Sequence, residues 1–205
     1  MVDKRAGNNM SGIQDILLEE SHAPPLQHVY TSAGSGTETI PGPSPVTYST
    51  VIIEVWGGTG GGGSGTGIDN AQGGGGGSGA YCRSSYSLSG AAGETMSYTV
   101  GAPNNASSVS SGTFTITSMS SPGGGSGGSA SGGNPGSGGS AGVLATGGTI
   151  ANDAGNAGAT GKPVGNGGGG ADVPGIYAAG TKGMHGSYGA SLPGSSGVIA
   201  FTYLQ

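Results

Sequence analysis

Between residues 47 and 56 apolar and polar positions alternate with period two. Val51, Ile53 and Val55 fall on one side, Ile52, Glu54 and Trp56 on the other. Successive side chains of a strand point to opposite faces, so this run predicts a β-strand. Segments 80–88, 94–100 and 113–119 read the same way, and turn signals such as Ala91-Ala92-Gly93 separate them. A strand is also expected at 27–32, ahead of a loop rich in Gly, Pro and Ser at 33–45, and GVIAFTYL at 197–204 closes the chain as a last strand. Together these segments hold most of the aromatic and branched residues, enough for one small sheet or sandwich with a core.

After Trp56 the pattern changes. The chain enters glycine and leaves it only for a short polar break at 68–72 before the strand at 80. The same change recurs from about residue 122 to the last strand. Glycine accounts for 51 of the 205 residues and proline for 11. At that level a disordered Gly/Ser linker is the default, unless the glycines are periodic. They are. Gly57, Gly60 and Gly63 lie three apart, as do Gly73, Gly76 and Gly79. So do Gly133, Gly136, Gly139 and Gly142, then Gly155, Gly158 and Gly161, then Gly180, Gly183, Gly186 and Gly189. A linker has no reason to keep that spacing.

Period three is the repeat of the left-handed extended helix, which has no internal hydrogen bonds. An isolated glycine rod of this kind would melt, because glycine loses the most entropy on ordering. Side-by-side rods can satisfy one another's backbone groups. Collagen needs a long unbroken Gly-X-Y repeat with abundant proline. Here the phase slips repeatedly and proline is scarce inside the tracts, so short rods that turn back on themselves fit better. Each excursion from the strands should then hold an even number of rods. The turn of the first excursion falls at 68–72. Candidate turns of the second are 134–135, 143–154, 162–164, 171–179 and 190–193.

The first 28 residues differ in kind. SGIQDILLEES at 11–21 reads as a short helix with Ser11 as its cap and Ile13, Ile16 and Leu17 on one side. It is too short to be stable alone. Either it docks on its own domain or a partner, or it is a frayed leader, and Pro24 and Pro25 end it.

Charge and motifs narrow the chemistry. Charged residues make up 7% of the chain and the net charge is −5. The five basic residues form no run, so there is no electrostatic footprint for nucleic acid. No apolar stretch approaches the roughly 18 residues of a membrane helix, so no membrane insertion is expected. The N-terminus has no apolar core of a secretory signal. Cys82 is the single cysteine and reads as a buried strand residue rather than an activated thiol. A G-x-G-x-x-G match at 58–63 follows a strand, but lacks the helix and the acidic residue that a dinucleotide site requires. G-x-S-x-G around Ser126 and Ser140 lies within glycine tract, where no nucleophile elbow can form. His22, His28 and His185 have no metal-ligand spacing and read as lone surface histidines. No catalysis, metal or cofactor is expected.

What remains are apolar, aromatic and charged residues set among glycines. Ile176, Tyr177, Lys182, Met184, His185 and Tyr188 form the sharpest cluster, and Ile68, Asp69 and Asn70 occupy the first turn. A rod bundle with no interior for large side chains must project them outward. Exposed tyrosines on a rigid platform favour recognition, because they offer contact area at low entropy cost. The competing reading is that these residues clamp neighbouring rods or cover the base.

The sequence VIIEVWGGTGGGG, then GGGGGSGAY, a strand ending YTVGAP, and glycine tracts closing with GVIAFTYL resembles the glycine-rich domain of bacteriophage tail and fibre proteins. It is similar in character to the tail-fibre tip adhesins of T-even-like phages. The resemblance covers residues 27–205, and its most specific parts are the strand-to-glycine junction at 51–63 and the last strand. It implies a sandwich of polyglycine II helices whose distal loops bind a bacterial cell-surface receptor, and an N-terminal part attached to other virion proteins. Carried onto this chain, the turns between tracts hold the receptor-binding residues: Ile68, Asp69, Asn70, Ile176, Tyr177, Lys182, Met184, His185 and Tyr188. Ile13, Ile16 and Leu17 belong to virion attachment. The N-terminal part is shorter than in the tip adhesins, which leaves open a place on a tail fibre, at a tail tip or on a capsid.

The expected fold is mainly β and irregular. A small antiparallel β base, formed by about 47–56, 80–119 and 197–204, carries a bundle of polyglycine II helices from tracts at about 57–79 and 122–197. A short N-terminal helix lies in an attachment segment, 1–28, ahead of a glycine-rich domain, 29–205. The expected function is that of a virion adhesin made in the host cytoplasm, with a homo-oligomer left open. A purely structural virion spacer and, less favoured, an ice-binding glycine-rich protein are the alternatives.

Overall fold

The computed structural model describes residues 24–43, 46–65, 71–162 and 191–205. The short helix expected at 11–21 lies outside the described residues. Within them the chain is mainly β, in two antiparallel sheets. Sheet A holds β1 (Leu26–Tyr30), β3 (Thr50–Trp56), β4 (Tyr81–Ser87), β8 (Ala151–Asp153) and β9 (Val198–Leu204), in the order β1-β9-β3-β4-β8. Sheet B holds β2 (Gly34–Thr39), β5 (Thr95–Val100), β6 (Ser107–Ser111) and β7 (Met119–Ser121), in the order β2-β5-β6-β7.

The alternation of β3 explains the packing. Val51, Ile53 and Val55 are fully buried and join Cys82, Ile199, Phe201 and Tyr203 of the same sheet against Ile40, Met96, Val100, Val109 and Met119. The other face of β3 is not simply solvated. Trp56, Tyr81, Val198 and Ala200 form a second buried cluster there, with Ala151 against it. Two glycines shape the β4–β5 turn. Gly90 and Gly93 adopt φ of 76° and 82°, the left-handed region that other residues enter with strain.

Two expectations need correction. Of segment 113–119 only Met119 lies in a strand, as the first residue of β7: Phe114 and Ile116 belong to the connection between β6 and β7. The Ser111 hydroxyl accepts from the Ile116 N–H and donates to the Ile116 carbonyl, both at 3.0 Å, which closes this segment into a loop. Ile116 still reaches the core, so the pattern reported burial correctly and conformation wrongly. Conversely β2 (GSGTET) lies where a loop was expected. It has no apolar run, and its pairing with β5 from Gly34↔Val100 to Thr39↔Thr95 holds it in place.

Beyond the sheets the glycine segments run extended and bond to one another. Six described tracts do so: 57–65, 71–80, 122–130, 134–142, 154–162 and 191–197. Donors recur every third residue. Gly57, Gly60 and Gly63 donate to the carbonyls of Ala80, Gly77 and Gly74. Gly74, Gly77 and Ala80 donate to Gly128, Gly125 and Pro122, and Gln72, Gly75 and Ser78 to Lys162, Ala159 and Asn156. The third tract returns to the first through Gly124, Gly127 and Ala130, and the fourth to the second through Gly136, Gly139 and Gly142. Gly155, Gly158 and Gly161 join the fifth tract to the fourth. These bonds span 2.8–3.1 Å.

The register fixes direction. The first, third and fifth tracts run away from the sheets, and the second, fourth and sixth run back. The second tract is the hub, bonded to the first, third, fourth and fifth and buried along its whole length. Its glycines serve close approach. A Cβ at Gly73, Gly76 or Gly79 would overlap the carbonyl of Gly63, Gly60 or Gly57, and one at Gly74 or Gly77 that of Ser137 or Ser140.

Three tyrosines and two buried glutamates tie the base together. Glu38 of β2 accepts from Tyr30 and Tyr203 of sheet A, both at 2.6 Å, and contacts His28 Nδ1 at 2.8 Å. His28 is therefore not a lone surface residue: it pairs with a carboxylate between the sheets. Glu54 accepts from Tyr81 at 2.7 Å. Burial first, then the hydrogen bond to a glutamate, pushes the phenols of Tyr30, Tyr81 and Tyr203 far above the usual tyrosine range.

An alkaline instability follows. Below about pH 10 these phenols are protonated in both folded and unfolded chains, and their contribution is fully present. Above it the unfolded phenols ionise while the folded ones do not, so the unfolded chain binds fewer protons and stability falls. Tyr81 and Tyr203 together should remove about 3 kcal/mol per pH unit there. Urea midpoints at pH 8, 10 and 11 measure this, and midpoints that stay level across that interval would refute it.

Candidate functional site

All the site residues expected from the sequence lie outside the described residues. Ile68, Asp69 and Asn70 fall within 66–70. Ile176, Tyr177, Lys182, Met184, His185 and Tyr188 fall within 163–190, and Ile13, Ile16 and Leu17 within 1–23. The described residues that flank the first two groups are placed, and they define one end of the molecule.

That end lies opposite the sheets. Gly63 N–H reaches the Gly74 carbonyl at 2.9 Å near the outer limit of the first two tracts, either side of 66–70. Lys162, before 163–190, accepts from Gln72, and Leu192, after it, donates to Gly62. A hairpin joins the third and fourth tracts at the same end, where Ser131 and Asn134 exchange backbone bonds of 3.1 and 3.0 Å. Gly132 and Gly133 supply φ of 53° and 76°, the mirror-image turn that only such residues adopt easily. Segment 143–153 instead turns beside the sheets, because its last three residues pair with β4 as β8. Of the candidate turns with described flanks, then, one faces the base.

Several polar groups at the outer end are fixed. Ser64 Oγ donates to Ser129 Oγ at 2.8 Å and so clamps the first tract to the third. Gln72 is buried, and its Oε1 accepts no hydrogen bond. Along the side of the bundle a groove of about 380 Å³ runs between Gly61–Gly63, Pro103, Asn104, Ser126, Ser129 and Leu192. Sequence reasoning missed it, because it forms from segments about 130 residues apart, from Gly61 to Leu192. Asn104 sits at φ 68°, and its Nδ2 donates to the Gly124 carbonyl at 2.8 Å and to Ser126 Oγ at 3.1 Å. The Pro103-Asn104 turn signal was its one visible trace.

The motifs set aside on sequence grounds have structural roles. Gly58, Gly60 and Gly63 of the G-x-G-x-x-G match donate to Asn105, Gly77 and Gly74. Cys82 is buried against Ser121 Oγ at 3.2 Å, and burial pushes its thiol up. Ser126 is bonded to Asn104, and Ser140 accepts at its carbonyl from Gly125. Among the described residues no three side chains are grouped to hold a metal ion.

No protein-family model matches this chain, and no curated protein matches it. The functional reading therefore stands on the residues and their geometry.

Proposed function

We propose that the glycine tracts are polyglycine II helices and that the protein is a virion adhesin, held on a phage tail fibre or tail tip. In this reading it binds a bacterial surface receptor through the connections between the helices. The observation that carries the proposal is the hydrogen bonding of the tracts. Donors recur with period three, whereas a β-ladder alternates with period two. Five of the six tracts bond to two or more other tracts, as rods in a bundle must and strands in a single layer need not. Such a bundle is a stiff platform, since its backbone groups are paired and its contacts leave no room for a Cβ.

The flanks of 66–70 and 163–190 stand at the end opposite the β base, beside the 131–134 hairpin. Those two segments carry Ile68, Asp69 and Asn70, and Ile176, Tyr177, Lys182, Met184, His185 and Tyr188. Among glycine tracts made largely of Gly, Ser and Ala, they concentrate the side chains suited to recognition. Ile13, Ile16 and Leu17 precede β1 and would attach the protein to the particle.

The test is binding of the purified protein to host cells, combined with its power to block phage adsorption. Saturable binding that blocks adsorption is expected. Alanine at Tyr177, Lys182, Met184 and Tyr188 together should weaken it by about a hundredfold, as hot-spot residues do, with the urea midpoint unchanged. Absence of binding to every host that the particle infects would sink the adhesin reading and leave a structural spacer. Ice-recrystallisation inhibition would redirect it to the ice-binding class.

A further inference from the structure

The groove along the flank of the bundle has two walls of opposite character. The first tract bonds to the third, through Gly127 to Gly61, and to the sixth, through Leu192 to Gly62, so it lies between them. Gly61–Gly63 are buried, whereas Ser126 and Ser129 of the third tract and Leu192 and Pro193 of the sixth are exposed. The glycines are therefore the floor and the other two tracts the walls. Ser126 and Ser129, with Asn104 of the β5–β6 turn, make one wall of hydroxyl and amide groups. Leu192 and Pro193 make the facing wall aliphatic, and Leu192 is 38% exposed. No ionisable side chain is among the described residues that line the groove.

The polar wall is set in advance. Ser126 and Ser129 are three residues apart on an extended tract and both line the groove, so their hydroxyls recur along it at about 9–10 Å. Ser129 Oγ accepts from Ser64 Oγ at 2.8 Å and keeps its own proton to give. Asn104, the one non-glycine residue at positive φ among the described residues, is pinned by its N–H to the Thr59 carbonyl at 3.2 Å and by Nδ2 to the Gly124 carbonyl at 2.8 Å. Its second amide proton goes to Ser126 Oγ, so what it still offers is acceptor capacity at Oδ1, which Ser126 Oγ contacts at 3.3 Å. Residues held in that backbone region concentrate at ligand clamps.

We propose that this groove is a binding site for a neutral oligosaccharide. A sugar ring carries hydroxyls around its rim, C–H bonds on its faces and no charge, and the two walls complement those features in turn. An ionic ligand would find no counter-charge there, and a wholly apolar one would leave Asn104, Ser126 and Ser129 without partners in place of water. The interval between the two serine hydroxyls is longer than one sugar ring, so it selects a chain of sugars, whose hydroxyls recur along its length, over a single one. The volume of about 380 Å³ lies at the small end of ligand sites, roughly 300–1,000 Å³, and suits a short stretch of such a chain. The site lies on the flank of the bundle and not in the connections at its far end, so it stands independently of the adhesin reading.

Titration of the isotope-labelled full chain with maltohexaose, cellohexaose and mannohexaose, followed by its amide resonances, tests the site. At least one of these sugars should bind saturably, with a Kd of about 1 mM or tighter, and move the amides of Gly61–Gly63, Asn104, Ser126 and Leu192. S126A/S129A removes two exposed hydroxyls and should weaken binding about tenfold. Leu192→Ser, on the facing wall, should weaken it by a similar factor. All three positions are exposed, so unchanged urea midpoints are expected as a check on folding. The anionic hexagalacturonate and an uncharged Ser-Ala hexapeptide should leave the same amides unmoved. No shift with any of the three neutral sugars, shifts confined to other residues, full affinity in both variants, or equal binding of either comparator would each overturn the proposal. No host cell enters this titration, so its failure leaves the adsorption test standing, and a failed adsorption test leaves the groove standing.

Discussion

Gly76→Ala should lower the stability of this protein by about 4 kcal/mol, a large share of the total available to a domain of this size. Gly76 sits in the central tract with every neighbour buried, and a Cβ there would overlap the carbonyl of Gly60. The obstructing atoms are backbone, so no side chain can swing aside. Overpacking alone costs about 1–3 kcal/mol. Relief requires the first and second tracts to separate, which strains the bonds Gly60 to Gly77 and Gly77 to Gly125. Each buried backbone group left without a partner adds about 1–3 kcal/mol. Gly42→Ala is the contrast: nothing lies within 4 Å of a Cβ built there, and its φ is not left-handed. That change should be neutral or stabilise by up to about 1 kcal/mol, through the unfolded chain. Urea midpoints of both variants decide the matter. A Gly76→Ala midpoint close to wild type would mean that the bundle is loose and that its glycines are compositional.

Glu38→Ala should cost about 4 kcal/mol, for a different reason. The carboxylate is 2% exposed and is the point at which sheet B meets the edge of sheet A. Truncation leaves the hydroxyls of Tyr30 and Tyr203 without their acceptor, about 1–3 kcal/mol each, and opens a cavity as well. Tyr203 is fully buried and has no water to turn to. Glu38→Gln keeps the shape and one carbonyl acceptor, and should cost about half as much. A coupling measurement separates the hydrogen bond from mere packing. Tyr203→Phe should be costly in the wild type and nearly free in the Glu38→Ala background, since the interaction is already lost. Equal costs in the two backgrounds would show that Glu38 is not what orders Tyr203.

These two sites differ in how visible they were. The Gly76 spacing is plain in the residues: Gly73, Gly76 and Gly79 lie three apart, and the tracts bond at that interval. The role of Glu38 is invisible, because GSGTET carries no apolar signal and its partners His28, Tyr30 and Tyr203 come from two other strands. Segment 113–119 went wrong for a related reason. Alternation reports which side chains are buried, and Phe114 and Ile116 do pack on the core. It does not report whether the backbone between them pairs with a neighbour, and the Ser111 hydroxyl captures it instead.

What the sequence by itself determined is whatever repeats locally. Period two in 50–56 sets a strand and its two faces, the branched and aromatic run at 198–204 marks the last strand, and period three in the tracts sets the interval of their hydrogen bonds. Both periods follow from the geometry of a single chain, since a side chain or an N–H returns to the same direction after a fixed number of residues. Tertiary structure alone decided which tracts are neighbours, which tract is the hub, and that the 143–153 connection turns at the base rather than at the far end. The physical reason is that glycine tracts are nearly interchangeable as surfaces. Gly60 meets Gly125 and Gly76 because the strands at the base hold each tract in register, and those strands pair residues as far apart as Leu26 and Tyr203.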